Sequence, residues 1–146
     1  MTPPSATTTQ EKKDFMRSFA DATLNAHNPD AVDQFTDDNF NEHHPFPGQT
    51  QGREGLKDAI RFFITAFPDL AWTIEEQHCE GDHVTSRISF TGTHRGDFYG
   101  IPATGKKVNG WGIMIDTVTD TPNGPRFTQS KAIINVQEII EQLKAS

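Results

Sequence analysis

Residues 92–106 read GTHRGDFYGIPATGK, and the rest of the chain is interpreted outward from this stretch. It begins at the end of an alternating pattern typical of a β-strand and runs into a loop with three further glycines and a proline. A second strand pattern starts at Lys106. Glycine-rich loops that carry a histidine, aromatic residues and charges more often serve function than packing. The stretch therefore predicts a functional loop between two strands.

Strand patterns lie on both sides of this loop. Four stretches with period-two alternation are predicted to be strands: residues 70–75, 84–94, 108–118 and 127–136. Turn residues at 80–82 and 121–125 separate them, and a short closing helix is expected over residues 138–144. The strand at 108–118 has apolar residues on both faces. This favours a second subunit covering the outer face, and we expect a homodimer.

Helical patterns dominate the chain before Leu70. Thr8 and Glu11 stand at capping-box spacing, which predicts a helix from about Thr9. The next expected elements are a short helix over residues 30–35 opened by Asn28 and Pro29, a brief strand at 40–44, a constrained loop at 45–48 and a helix over 53–66. Helices followed by antiparallel strands are typical of an α+β fold with helices on one side of a curved sheet.

Composition limits the partners. The 146 residues predict a flexible tail over residues 1–8 and one domain over 9–146. The net charge is -7 and no run of Lys or Arg exceeds two residues, which argues against nucleic acid and anionic membrane. The single Cys79 excludes an internal disulfide and a cysteine-built metal site. No apolar run reaches the roughly 20 residues of a membrane span. We expect a soluble, cytoplasmic domain.

Several segments together resemble the SnoaL-like polyketide cyclase family, within the nuclear-transport-factor-2-like superfamily. The matching pieces, in the family's order and spacing, are EH at 42–43, PG at 47–48, GREGL at 52–56, AFPDL at 66–70, GTH at 92–94, GIPATGK at 100–106 and QL at 142–143. The resemblance implies a cone-shaped α+β barrel of three helices on a strongly bent sheet, with an apolar pocket at one end. It also implies aldol ring closure of a polycyclic polyketide ester without cofactor or metal. Relatives on this fold hydrolyse epoxides, isomerise steroids, take part in hydroxylation or only bind ligands.

Such chemistry needs a base and a group that holds the developing oxyanion. His94 is the first candidate base, because strand parity places it with Val84, Ile88 and Phe90; the alternative is a histidine that orders the glycine loop. His43 stands at the family's histidine position, with a surface or capping role as its alternative. His44 should point to the opposite face from His43, so that the two do not form a metal pair.

The last strand departs from the family pattern. The family's catalytic aspartate corresponds to Asn135, its tryptophan to Lys131 and its glutamate to Gln129, and the three share a face with Phe127 and Ile133 by parity. Asparagine cannot act as a base, although it can donate a hydrogen bond to a carbonyl. Lys131 is either a cation facing the pocket or a solvated surface residue.

Asp116 is a further candidate, because the apolar residues Ile113, Met114 and Ile115 precede it and a desolvated carboxylate is a stronger base. Its alternative is a place on an edge strand or in a dimer interface. The remaining candidates for substrate contact are Trp111, as pocket wall or interface residue, Tyr99, at the pocket mouth, Phe63 and Gln129.

We therefore expect a cofactor-independent cyclase or isomerase that acts next to a carbonyl of a hydrophobic polyketide- or terpenoid-derived intermediate, with His94, His43, Asn135 and Asp116 as the catalytic candidates. Two alternatives stay open. One is hydrolysis of an epoxide or lactone in the same pocket. The other is a ligand-binding module without catalysis, which the asparagine at position 135 favours.

Overall fold

A computed structural model describes residues 6–45 and 48–145 of the chain. In chain order its elements are α1 (Thr9–Ala20), a π-helical turn (Asp21–Asn25), a 3-10 helix (Pro29–Gln34), β1 (Asn41–Glu42), α2 (Gly52–Ala66), β2 (Ala71–Glu80), β3 (His83–Thr93), β4 (Lys107–Thr121), β5 (Gly124–Ile134) and α3 (Val136–Lys144). The predicted α+β class is confirmed. Residues 1–5 of the expected tail, and Phe46 and Pro47 of the expected loop at 45–48, lie outside the described residues.

The five strands form one sheet in the order β1-β5-β4-β3-β2. The long strands β2 to β5 pair antiparallel, whereas the two-residue β1 runs parallel to β5. Because β1 and β2 occupy opposite edges of this order and do not pair with each other, the sheet stays open. The expected architecture, a mainly antiparallel sheet packed against helices, is therefore confirmed, with a sheet that is open and not closed.

The start of α1 follows the predicted capping box. The Glu11 N–H donates to Thr8 Oγ1 at 3.0 Å, and the Thr8 N–H donates to Glu11 Oε1 at 3.1 Å. These two bonds satisfy backbone donors that the first turn of a helix leaves unpaired. The helix therefore begins at Thr9, as the spacing predicted.

Aromatic side chains join the helices to the inner face of the sheet. Phe127 of β5 meets Phe19 of α1 edge-on at 5.1 Å between ring centroids, and it meets Phe40 at 4.9 Å. Further along, Trp72 of β2 stacks on Phe90 of β3 at 5.5 Å. Such pairs stabilise a fold by about 0.5–1.5 kcal/mol each beyond the burial of their area. Of these contacts, the one between Phe19 and Phe127 joins α1 to the sheet.

The pairing of β4 with β5 contains a bulge. Thr117 pairs with Gln129 but Val118 pairs with Phe127, so Thr128 is an extra residue on β5. An extra residue reverses the alternation of side chains beyond it. Phe127 is buried while Gln129 and Lys131 are exposed. Of the residues predicted to share one face, Gln129, Lys131 and Ile133 are all exposed, and Phe127 departs from them because of the bulge.

The loop at residues 92–106 is fixed to the end of α2. Both carboxylate oxygens of Asp69 accept bonds from Thr93, one from its N–H at 2.6 Å and one from its hydroxyl at 2.7 Å. These bonds lower the pKa of Asp69, because they favour its charged form. At Gly92 an added Cβ would lie 2.6 Å from the Cβ of Phe67, so only glycine fits there. The AFPDL and GTH pieces of the sequence therefore form one packed junction.

In the described part of the chain, no helix is both long and apolar enough to cross a membrane.

Candidate active site

A cavity lies between helices α1 and α2 and the inner face of the sheet. Its volume is about 100 Å³, counted as the space in which the centre of a water molecule can lie. One water needs roughly 10–15 Å³ on this measure, so the cavity has room for a ligand of several non-hydrogen atoms. Its apolar lining includes Phe19, Ile60, Phe63, Trp72, Ile88 and Met114. Its polar lining is Glu42, His44, Gln49, Ser86, Asp116 and Ser130.

Asp116 reaches the cavity from β4. It is 3% exposed, and the Ser130 hydroxyl donates to its Oδ1 at 2.9 Å. Burial raises the pKa of Asp116 to about 7, the negative charge of Glu42 acts in the same direction, and the bond from Ser130 opposes the shift. A carboxyl group with this pKa is partly ionised at neutral pH. It is therefore matched to proton transfer.

Glu42 and Asp116 lie on either side of Ser130. Glu42 of β1 pairs with Ser130 of β5, and Ser130 pairs with Asp116 of β4, so the three residues form one row across the sheet. Glu42 is 7% exposed, and burial raises its pKa. Hydrogen bonds from the His44 N–H, at 3.1 Å, and from the Ser130 side chain oppose that shift. The row places two carboxyl groups beside one hydroxyl in the cavity wall.

Ser86 supplies a further hydroxyl to the lining. It is two residues from Val84, which pairs with Asp116 across β3 and β4. Its hydroxyl oxygen is buried, and no described group is its hydrogen-bond partner. Because burying a hydroxyl without a partner costs free energy, an unpaired one beside a cavity is suited to bind a polar atom of a ligand.

The structure brings two of the predicted site residues, Asp116 and Phe63, to the cavity. His94 lies on the inner side of the sheet, as strand parity predicted, but beyond the cavity lining. Its ring centroid lies 6.0 Å from that of Phe67, and its Nδ1 accepts a hydrogen bond from the Thr104 N–H at 3.1 Å. Its backbone pairs with Lys106 and Gly105. These contacts correspond to the alternative interpretation, a histidine that orders the loop.

His43 lies on the outer side, where its Nε2 is 2.8 Å from Gln129 Oε1. The two adjacent histidines do face apart, but His44 is the one that lines the cavity. Among the described residues, no group of three or more His, Cys, Asp or Glu side chains is arranged to hold a metal ion.

Asn135 and Trp111 meet at the end of β5, outside the cavity lining. Asn135 Oδ1 accepts from the Trp111 N–H at 2.8 Å, and Asn135 Nδ2 donates to Glu138 Oε2 at 2.7 Å. The Trp111 indole N–H also donates to Glu138, and Trp111 is 41% exposed. Asn135 therefore joins β4 to the first turn of α3.

The remaining three candidates also lie away from the cavity. Lys131 and Gln129 are exposed on the outer face because of the bulge at Thr128. Tyr99 packs in the loop at residues 92–106, with its ring 5.0 Å from that of Phe62, and burial raises its pKa.

Sequence reasoning missed Glu42, His44, Ser86 and Ser130 as lining residues. A signal existed for Ser86, which has the same strand parity as Val84 and Ile88. The bulge hid Ser130, since parity counted from Phe127 sends it outward. Glu42 belongs to a strand of two residues, which is too short to show a period.

Comparisons with known proteins identify a family and a shared fold. The model of the SnoaL-like polyketide cyclase family matches residues 14–143. Among solved structures, TsrD from Streptomyces laurentii is 28% identical, with a TM-score of 0.78, over 92% of this chain and 95% of its own. A candidate polyketide cyclase from Bacillus cereus is also 28% identical, with a TM-score of 0.72, over 91% of this chain and 78% of its own. A SnoaL-like candidate cyclase from Jannaschia shows the same fold at 19% identity, with a TM-score of 0.80, over 100% and 99%. A search of curated proteins found no match.

Proposed function

The chain belongs to the SnoaL-like polyketide cyclase family, and we propose that it is an enzyme that moves a proton next to a carbonyl group of a hydrophobic polyketide- or terpenoid-derived molecule. The observation that carries this proposal is Asp116, a buried carboxyl group in the wall of a mainly apolar cavity. The reaction would be a ring closure or an isomerisation, because both begin with removal of such a proton.

Asp116 takes the role of base. A carboxylate in an apolar cavity is desolvated, so it binds a proton more strongly than it does in water. The pKa of about 7 leaves a large ionised fraction at neutral pH. His94 and His43, which the sequence favoured as bases, lie outside the cavity lining. The proposal therefore assigns the proton transfer to Asp116 alone among the predicted residues.

Ser86 takes the role of hydrogen-bond donor to the substrate oxygen. Loss of a proton next to a carbonyl moves negative charge onto that oxygen, and a preorganised donor stabilises this charge. The unpaired hydroxyl of Ser86 lies on the strand beside Asp116 and lines the same cavity. A substrate whose acidic carbon faces Asp116 would then direct its carbonyl toward β3.

The test is hydrogen exchange on a model substrate. An aromatic polyketide methyl ester is incubated with the protein in deuterated water, and NMR follows loss of the proton next to the carbonyl. We expect Asp116→Asn to slow the catalysed exchange by roughly 10²–10⁴-fold and Ser86→Ala by a smaller factor of about 10-fold or more. Asp120→Asn is the matched control, since Asp120 is an exposed aspartate on the same strand. Full exchange by a folded Asp116→Asn protein would exclude Asp116 as the base.

Hydrolysis of an epoxide or lactone is the second candidate. It is favoured by the two carboxyl groups on either side of Ser130, because such a pair can hold and activate a water molecule. Products formed in ¹⁸O-labelled water distinguish the two reactions. Incorporation of ¹⁸O into the product supports hydrolysis, whereas its absence supports cyclisation or isomerisation. A module that only binds ligands would bind the ester without catalysing either reaction.

We also propose that the protein is a homodimer through the outer face of the sheet. Four large apolar side chains are exposed there: Trp111, Ile113, Ile115 and Ile133, at 41%, 45%, 39% and 69%. Ile113 and Ile133 are direct partners across β4 and β5, so the apolar surface is continuous. Exposed apolar surface of this kind is typical of an interface.

A further inference from the structure

Two buried carboxyl groups compete for the hydroxyl of Ser130. That hydroxyl donates to Asp116 Oδ1 at 2.9 Å, and Glu42 lies on its other side as the partner of Ser130 across β1 and β5. All three residues are buried, with exposures of 7% for Glu42, 5% for Ser130 and 3% for Asp116. Solvent therefore does little to screen the electrostatic interaction between the two carboxyl groups.

The number of protons decides how this row can be satisfied. A serine hydroxyl has one hydrogen to donate and two lone pairs to accept with, whereas an ionised carboxylate can only accept. If both carboxyl groups were ionised, the single hydroxyl hydrogen would serve one of them and the other would face a bare oxygen. If one carboxyl group carries a proton, that group donates to Ser130 while Ser130 donates to the other. The row is complete with one shared proton.

We propose that Glu42, Ser130 and Asp116 form a proton-sharing unit, in which one proton is held between the two carboxyl groups and Ser130 passes it from one to the other. In the first form Glu42 is protonated and donates to Ser130, which donates to the Asp116 carboxylate. Moving the Ser130 hydrogen to Asp116 and the Glu42 hydrogen to Ser130 gives the second form. The unit keeps the same number of protons and one negative charge in both forms.

This unit deepens the proposed function and rests on it for its role in the reaction. In the first form Asp116 is ionised and takes the proton from the carbon next to the carbonyl. Once it has taken that proton, Asp116 is the acid while Glu42 keeps its own proton, and Asp116 returns the proton to another carbon or to the oxygen, which restores the first form. Glu42 acts through Ser130 and is a positioning residue. Its protonated state keeps two negative charges from lying side by side in the cavity.

The groups around Glu42 and Asp116 add no further acidic side chain to the cavity wall in the described part of the chain. From the segment that follows β1 the pair is faced by His44, whose N–H donates to Glu42, and the charges of His44 and His43 lower the pKa of Glu42. Helices α1 and α2 present apolar side chains to the cavity, including Met16, Leu56 and Ile60. From β3 the neighbours are Val84 and the uncharged Ser86.

Titration of the carboxyl carbons by ¹³C NMR tests the unit without a substrate. Protein labelled at the aspartate and glutamate carboxyl carbons is titrated as wild type and as Glu42→Gln, Ser130→Ala and Asp116→Asn, which also assign the signals. We expect Glu42→Gln to lower the titration midpoint of Asp116 by about one pH unit or more, because a neighbouring negative charge is removed. Ser130→Ala should raise the Asp116 midpoint, since the bond that favours its ionised form is lost. Asp116→Asn should lower the midpoint of Glu42.

Glu75→Gln is the control, because Glu75 is exposed on β2, and it should leave the Asp116 midpoint in place. An unchanged Asp116 midpoint in Glu42→Gln overturns the proton-sharing unit, and so does an unchanged Glu42 midpoint in Asp116→Asn if the first variant does not fold. The outcome is independent of the exchange assay. Loss of exchange in Asp116→Asn with unmoved midpoints would leave Asp116 as base and remove the unit. Moved midpoints with full exchange in Asp116→Asn would do the reverse.

Discussion

Asp116 combines a chemical advantage with a cost in stability. An ionised carboxylate at 3% exposure has lost most of its hydration, and a single serine hydroxyl replaces little of it. The same loss raises its pKa to about 7 and makes it a useful base near neutral pH. Residues of this kind are expected where function opposes stability.

The first prediction concerns stability as a function of pH. The pKa of Asp116 is about 7 in the folded chain and 3.8 for an ordinary aspartate, so between these values the folded protein holds a proton that the unfolded chain has released. Its contribution to stability therefore falls as pH rises through this window. Asp116→Asn carries no charge and should be the more stable protein at pH 8, by up to about 4 kcal/mol, with a smaller gain at pH 5.

Urea unfolding of both proteins at pH 5 and pH 8 measures this difference. Asp120→Asn is the control and should show no comparable gain, since Asp120 is exposed. A gain for Asp116→Asn that is equal at both pH values would contradict the assignment, because it would not depend on ionisation.

Asn135 shows why a position in a family pattern does not determine a role. Compared with the family, the sequence has an asparagine in place of a catalytic aspartate, which suggested a lost base. In the structure Asn135 Nδ2 donates to Glu138 at 2.7 Å while Oδ1 accepts from Trp111. An aspartate would bring a second acceptor to Glu138 and repel it. The amide therefore fits its own neighbours, and the carboxyl groups of the cavity come from Asp116 and Glu42.

Among the elements, β5 marks the limit of sequence-based inference. The helices, the long strands and the turns at Gly81 and Asn123 follow from periodicity, capping and turn residues, and they occur where these signals predicted. The sequence did not predict which side chains of β5 point to the inner face. One extra residue at Thr128 reverses their alternation, and the composition of the strand gives no sign of it. Asp116 could be predicted as a candidate from the sequence because β4 keeps its alternation from Val108 through Val118. Glu42 and Ser130 depend on pairings between distant parts of the chain.

The second prediction concerns packing between β3 and β4. At Gly110 an added Cβ would lie 2.2 Å from the ring of Phe90, which is buried and stacked on Trp72. Because the ring is held on both sides, Gly110→Ala should destabilise the fold by about 1–3 kcal/mol. Thermal and urea unfolding measure the loss. Thr91→Ala, at an exposed position on the neighbouring strand, is the control and should change stability by only about 0.5 kcal/mol or less. Equal stability of the two variants would contradict the packing argument.

At the scale of the whole molecule, the two faces of the sheet differ in what covers them. The inner face is covered by α1 and α2, which leave the cavity between them and the strands. The outer face carries Trp111, Ile113, Ile115 and Ile133 without a covering element among the described residues. The alternation of β4 revealed both faces in the sequence, since a strand that is apolar on both sides needs cover on both. The proposed second subunit supplies the outer cover.

The third prediction tests this cover. Ile133 is the most exposed of the four apolar residues, at 69%, and it pairs with Ile113 at the centre of the surface. Ile133→Glu places a charge where two copies would exclude water, and an unpaired buried charge is strongly unfavourable. Light scattering after gel filtration should give the mass of a dimer for the wild type and of a monomer for this variant. Ser18→Glu, which adds the same charge on the exposed side of α1, should remain dimeric. A monomeric wild-type protein at micromolar concentration, or a dimeric Ile133→Glu protein, would exclude this face as the interface.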